Sequence, residues 1–126
     1  MPVYDTALGV VIGEVQDLPG VHGVLAVPEV GRVYASATGI AYDPELGKLY
    51  VSDESGGTDT VIDTAANQVV ATIPLGGEVG NTQFVATAHR IIAAVQTRNQ
   101  VVSSRWRLSP VGATPSWWSW TCRACR

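Results

Sequence analysis

The first 102 residues alternate short apolar-rich runs with turn residues, the habit of β-strands rather than helices. GKLYVSD (47–53) opens on Gly47 and closes on Asp53. DTVID (59–63) and NQVVATIPL (67–75) follow, separated by Thr64-Ala65-Ala66-Asn67, and HRIIAAVQ (89–96) and NQVV (99–102) repeat the style. Val, Ile, Thr and Tyr dominate, as a pleated, half-buried surface favours. No window sustains an i, i+3, i+4, i+7 apolar pattern, so no helix is expected. The pattern predicts strands at 3–5, 9–15, 22–27, 31–36, 39–43, 47–52, 58–63, 68–74, 80–84, 89–95 and 99–102.

These runs recur at fixed offsets. DTALGVVIGEV (5–15) aligns with DTAANQVVATI (63–73) at an offset of 58. VPEVGRVYAS (27–36) aligns with DPELGKLYVS (43–52) at 16, and that segment with VATAHRIIAA (85–94) at 42. One period of 42 accommodates all three if the unit spanning 36–43 is short by 26 residues. About four short strands in a unit of ~40 residues is the size of one β-propeller blade. Residues 39–75 then form one full blade, with 3–15 an outer half, 22–36 an inner half and 80–102 three strands of another.

YVSDESGGTDTVIDTAANQVVATIPLGG (50–77) resembles the YVTN-type β-propeller repeat. Tyr50, Val51 and Ser52 stand at its opening; Thr60 to Asp63 carry the middle, and Val69 to Pro74 with Gly76 close it. Asp53 departs from the usual Asn, and Asp59-Thr60 stand where Val or Ser is common. The resemblance implies a closed ring of about seven blades in longer relatives, often periplasmic or secreted. It implies no shared catalytic residues. Within the motif, Val69, Val70 and Ile73 are expected to pack against a neighbouring blade. Asp63-Thr64 is expected to close an Asx-type turn, Gly56-Gly57 to allow positive φ, and Pro74 to end a ladder.

The fold class expected is therefore all-β: an incomplete β-propeller of antiparallel four-stranded repeats. Closure takes at least about four blades of ~40 residues, more than 126 residues supply. A shortened product, a ring completed by self-association through exposed blade edges, and a compact sheet remnant are the three outcomes. The first is the one expected.

Composition divides the chain at residue 102. Residues 1–102 carry eleven acids against four bases, whereas 103–126 carry four Arg and no acid, so the formal net charge of −3 averages two unlike segments. All four Trp and both Cys lie in the last 24 residues. The repeat stops there, and the Arg, Ser, Trp, Pro and Cys content resembles an out-of-register reading of GC-rich codons. Residues 103–126 are thus expected to be a disordered basic tail from a frameshift. Cys122 and Cys125 have C-x-x-C spacing, but a lone pair offers only half the ligands of a structural zinc site. Trp117, Trp118 and Trp120 could meet a membrane interface or nucleic-acid bases, although two Pro and no amphipathic period argue against an ordered surface. The acidic body excludes nucleic-acid binding through its own surface. No apolar run reaches the roughly 18 residues of a membrane span, and no signal peptide is visible.

Candidate chemistry is sparse. His22 begins an innermost strand, and Asn81 and Gln83 in GNTQF occupy a comparable place later. In a closed ring these three would border the channel mouth and bind a small polar ligand. A metal there would need a further carboxylate such as Glu78. Asp53, Glu54 and Asp59 have a calcium-like composition without EF-hand spacing. GGEVGN (76–81) lacks the Lys and helix of a phosphate loop, and no Ser-His-Asp or Cys-His grouping is legible. The function expected is a non-catalytic propeller-repeat module that binds a ligand or protein and needs no cofactor. The alternatives are a fragment of a lactonase-like enzyme with a channel metal, or a structural cell-surface repeat protein.

Overall fold

The computed structural model describes residues 1–18, 20–104 and 120–123. Its strands are β1 (Pro2–Asp5), β2 (Val10–Glu14), β3 (Gly23–Val27), β4 (Arg32–Ser36), β5 (Ile40–Asp43), β6 (Lys48–Asp53), β7 (Thr58–Asp63), β8 (Gln68–Pro74), β9 (Val79–Val85), β10 (Arg90–Val95), β11 (Gln100–Ser104) and β12 (Trp120–Arg123). The first eleven lie where the alternation predicts them. All pairing is antiparallel. β1–β2 and β3–β4 are isolated hairpins; β5–β8 and β9–β12 are four-stranded meanders in sequence order. No sheet closes on itself among the described residues.

The hairpins share one turn chemistry. Gly9, Gly31, Gly47, Gly57, Asn67, His89 and Asn99, each just before a strand, have positive φ between 49° and 70°. This left-handed residue turns the chain into the returning strand. Asp5, Asp43 and Asp63 accept the two N–H groups at the turn, Asp63 Oδ1 from Ala65 and Ala66 at 2.9 Å each. The expected Asx turn at Asp63 is therefore present, and Gly57 holds the positive φ expected of the Gly pair.

Alternation gives each sheet two faces, and the sheets stack face on face. Ala41, Tyr50, Val61 and Ile73 on one face of β5–β8 form a buried cluster with Ile91 of β10, flanked by Phe84 of β9. Leu49, on the opposite face from Tyr50, is fully buried, as is Val27 of β3. Arg32 donates to the Thr64 carbonyl at 2.6 Å, and Tyr34 to Asn67 Oδ1 at 3.4 Å, tying β4 to the β7–β8 turn. Burial of ten apolar side chains, the eight larger than alanine each contributing about 1.5–3 kcal/mol, holds the stack together.

Two expectations are modified. Ile73 is buried as expected, but Val69 and Val70 are 63% and 45% exposed, because β8 is an edge strand uncovered on that side. The chain also keeps strand structure beyond residue 102. β11 runs to Ser104, and the backbone of Trp120–Arg123 pairs along it, Gln100 opposite Arg123. Residues 105–119 and 124–126, with the remainder of the expected tail, lie outside the described residues.

Candidate functional site

The last sheet has a face that no other described sheet covers. Asn81, Gln83, Ile92, Ala94 and Val101 on this face, together with Ala93 between them in β10, line a shallow cavity of about 200 Å³. Asn81 and Gln83 alternate along β9 and are exposed, while Gln83 sits opposite Ile92, and Ala94 opposite Val101. Two carboxamides thus stand over an apolar floor. Each carboxamide both donates and accepts hydrogen bonds, so the pair suits a polar ligand with mixed functionality.

The equivalent positions in the preceding units are different in kind. At the offsets of 16 and 42, Asn81 corresponds to Gly39 and Gly23, and Gln83 to Ala41 and Leu25. A Cβ on Gly39 would lie 2.6 Å from the Thr82 backbone nitrogen and 3.0 Å from the Gly80 oxygen. Glycine is required there because β9 presses against the start of β5. Nothing among the described residues presses on Asn81, so a polar side chain fits.

His22 does not join this pair. It precedes β3, its side chain is exposed, and its N–H donates to the Ser36 carbonyl at 3.0 Å. Glu78 is exposed at the start of β9, its N–H donating to Thr97 Oγ1 at 3.1 Å. Among the described residues no three His, Cys, Asp or Glu side chains gather at metal-binding geometry. The acidic loop also disperses. Asp53 Oδ1 accepts the Gly56 N–H at 2.9 Å, whereas Asp59 is inside β7 and 2% exposed. His89 Nδ1 instead meets Glu45 Oε2 at 2.7 Å on the surface.

The most buried chemistry is a cluster that sequence reading misses. Ser52 Oγ and Thr82 Oγ1 are 2.7 Å apart, and Thr82 Oγ1 is 3.3 Å from both oxygens of Asp59. Thr82 has one proton; when it serves Asp59, Ser52 donates the short bond. Burial pushes the Asp59 carboxyl above its ordinary range, and the Ser52 and Thr82 hydroxyls pull it partly back. Nearby, the Tyr50 hydroxyl is buried without a hydrogen-bond partner. Burial raises its pKa well above the usual value, and Asp43 and Asp59 add to the rise. The cluster links β6 and β7 to β9 as a joint between sheets. The only sequence signal for it is Asp59, a carboxylate at a position that alternation assigns to the inward face.

No helix among the described residues is long and apolar enough to cross a membrane. No protein-family model matches the chain, and no curated protein or solved structure matches it.

Proposed function

We propose that residues 1–104 are a non-catalytic scaffold of YVTN-type β-propeller repeats that binds a ligand or protein through the open face of its last sheet. The observation that carries this reading is the replacement of Gly39 and Ala41 by Asn81 and Gln83. Glycine or an apolar residue stands at the covered positions, Gly39 pressed by β9 and Ala41 buried in the core; carboxamides stand where the face is open, above Ile92, Ala94 and Val101. The meander order of β5–β8, the shared turns and the stacked faces support the blade reading. An extended peptide fits this chemistry, because its backbone offers the alternating donors and acceptors that carboxamides pair with.

Selection of displayed peptides against the wild-type chain, with an Asn81→Gly/Gln83→Ala double variant as the counter-screen, tests the reading. Peptides are expected that bind wild type and lose at least about tenfold in affinity on the variant, for two lost hydrogen bonds of ~1 kcal/mol each. The variant is expected to melt cooperatively, within about 10 °C of wild type. Peptides that bind both proteins equally would remove Asn81 and Gln83 from the site.

A further inference from the structure

β4 and β1 are each paired along one edge only, β4 to β3 and β1 to β2, among the described residues. A bare edge presents a row of free N–H and C=O groups, a template for another strand. The β5–β8 sheet indicates which strand each edge fits. There β6 pairs with β7, with Lys48 opposite Asp63 and Tyr50 opposite Val61. By the offsets of 16 and 58, β4 corresponds to β6 and β1 to β7, so Arg32 takes the place of Lys48 and Asp5 that of Asp63.

The charges repeat as well. Asp63 uses Oδ1 for its turn and gives Oδ2 to the Lys48 ammonium at 2.8 Å. Asp5 uses the same Oδ1 for the same turn, accepting from Ala7 at 2.8 Å and Leu8 at 2.9 Å. Its Oδ2 is left for a cation. Arg32 is exposed at the start of β4 and spends one guanidinium nitrogen on the Thr64 carbonyl. Within one chain the two edges do not meet. Instead Met1, Pro2, Val3 and Val15 of the first hairpin and Val24 and Val33 of the second line an apolar cleft of about 510 Å³. Val24 and Val33 remain 58% and 65% exposed, so that placement covers little.

We infer that two copies of the chain exchange their first hairpins, β1 of each copy pairing along β4 of the other, with Asp5 against Arg32. The exchange yields two composite four-stranded sheets, β3–β4 from one copy and β1–β2 from its partner. Both bare edges are used, and two-fold symmetry closes the assembly. The hinge lies in the connection between β2 and β3, where Asp17 and Gly20 already hold positive φ. The pairing rests on the repeat reading for its register and is independent of what the open face binds.

Light scattering coupled to gel filtration, in reductant to silence the thiols, provides the test. Wild type is expected at twice 13.3 kDa. Asp5→Arg alone and Arg32→Asp alone are each expected to weaken the dimer at least about tenfold, since each places like charges opposite one another at both junctions. Mixed together, the two variants regain the dimer, because both junctions of the heterodimer are then complementary. Should a variant fail to melt cooperatively, the milder Asp5→Asn and Arg32→Gln replace it, with a smaller loss expected. A wild-type chain at 13.3 kDa, or folded variants that do not rescue each other on mixing, overturns the exchange. A cooperative melt in that monomer would leave the scaffold reading standing.

Discussion

The Thr82 hydroxyl on β9 lies 3.3 Å from both carboxylate oxygens of Asp59 on β7, so one buried carboxylate fastens two stacked sheets. Thr82 and Asp59 are only 1% and 2% exposed, which leaves Asp59 no water to replace a lost donor. Thr82→Val keeps the shape of the side chain and removes that donor. The expected cost is about 1–3 kcal/mol, the penalty for under-satisfying a buried polar group. Urea unfolding of the variant checks it, and Thr82→Ser, which keeps the hydroxyl, is expected to lose less.

Tyr50 presents the opposite case. Its ring belongs to the core cluster, but its hydroxyl is buried without a partner. Tyr50→Phe keeps the ring packing and removes an unsatisfied group that faces the field of Asp43 and Asp59. The variant is expected to be more stable than wild type by about 1 kcal/mol. A loss of stability in thermal or urea unfolding would mean that the hydroxyl has a partner in solution.

Strands and turns were legible because both follow local rules. Alternation places β1 to β11, and the Asx turn at Asp63 and the positive φ at Gly57 follow from single turn residues. The offsets of 16 and 42 superpose Gly31, Gly47 and His89, and the structure shows that all three hold a left-handed turn position, although only two are glycine. What stayed hidden depends on sheets meeting at long range. Asp59 looked like part of an acidic loop with Asp53, because one strand boundary separates a turn carboxylate from a buried one. The repeat places His22, Asn81 and Gln83 together at a channel mouth; Asn81 and Gln83 share a cavity, and His22 does not line it. Their openness depends on which sheet comes last. Strand β12 was invisible for a related reason: a segment without the repeat signature pairs by its backbone, which any sequence can supply.

Gly39 makes the sheet contact testable from the other side. Its added methyl would meet backbone atoms of Thr82 and Gly80, which have no rotamer to escape into. Gly39→Ala is therefore expected to push β9 away from β5 at a cost of about 1–3 kcal/mol, the usual range for overpacking. Asn81→Gly, at the corresponding exposed position, is expected to change stability by no more than about 1 kcal/mol. Matched unfolding curves of the two variants distinguish a position that must be small from one that is merely open.

Two aspartates give the stability of the fold opposite pH dependences. Burial holds the folded-state pKa of Asp59 above 3.8, so just above pH 3.8 the native chain keeps a proton that the unfolded chain has released. Stability from this group is greatest at acid pH and falls as pH rises through the folded midpoint. Asp63 runs the other way. The Lys48 hydrogen bond foremost, then the Ala66 N–H, hold its pKa below 3.8, so its contribution is present above 3.8 and is lost as pH falls through its folded midpoint. On acidification, Asp59 therefore stabilises the fold first, and Asp63 destabilises it only below pH 3.8. Urea midpoints measured between about pH 3 and 7 separate the two. Asp59→Asn is expected to abolish the gain above 3.8 and leave the acid loss in place, whereas Lys48→Met is expected to shrink the acid loss and spare the gain. Equal pH slopes above 3.8 for wild type and Asp59→Asn would place Asp59 in contact with water and dissolve the buried joint between β7 and β9.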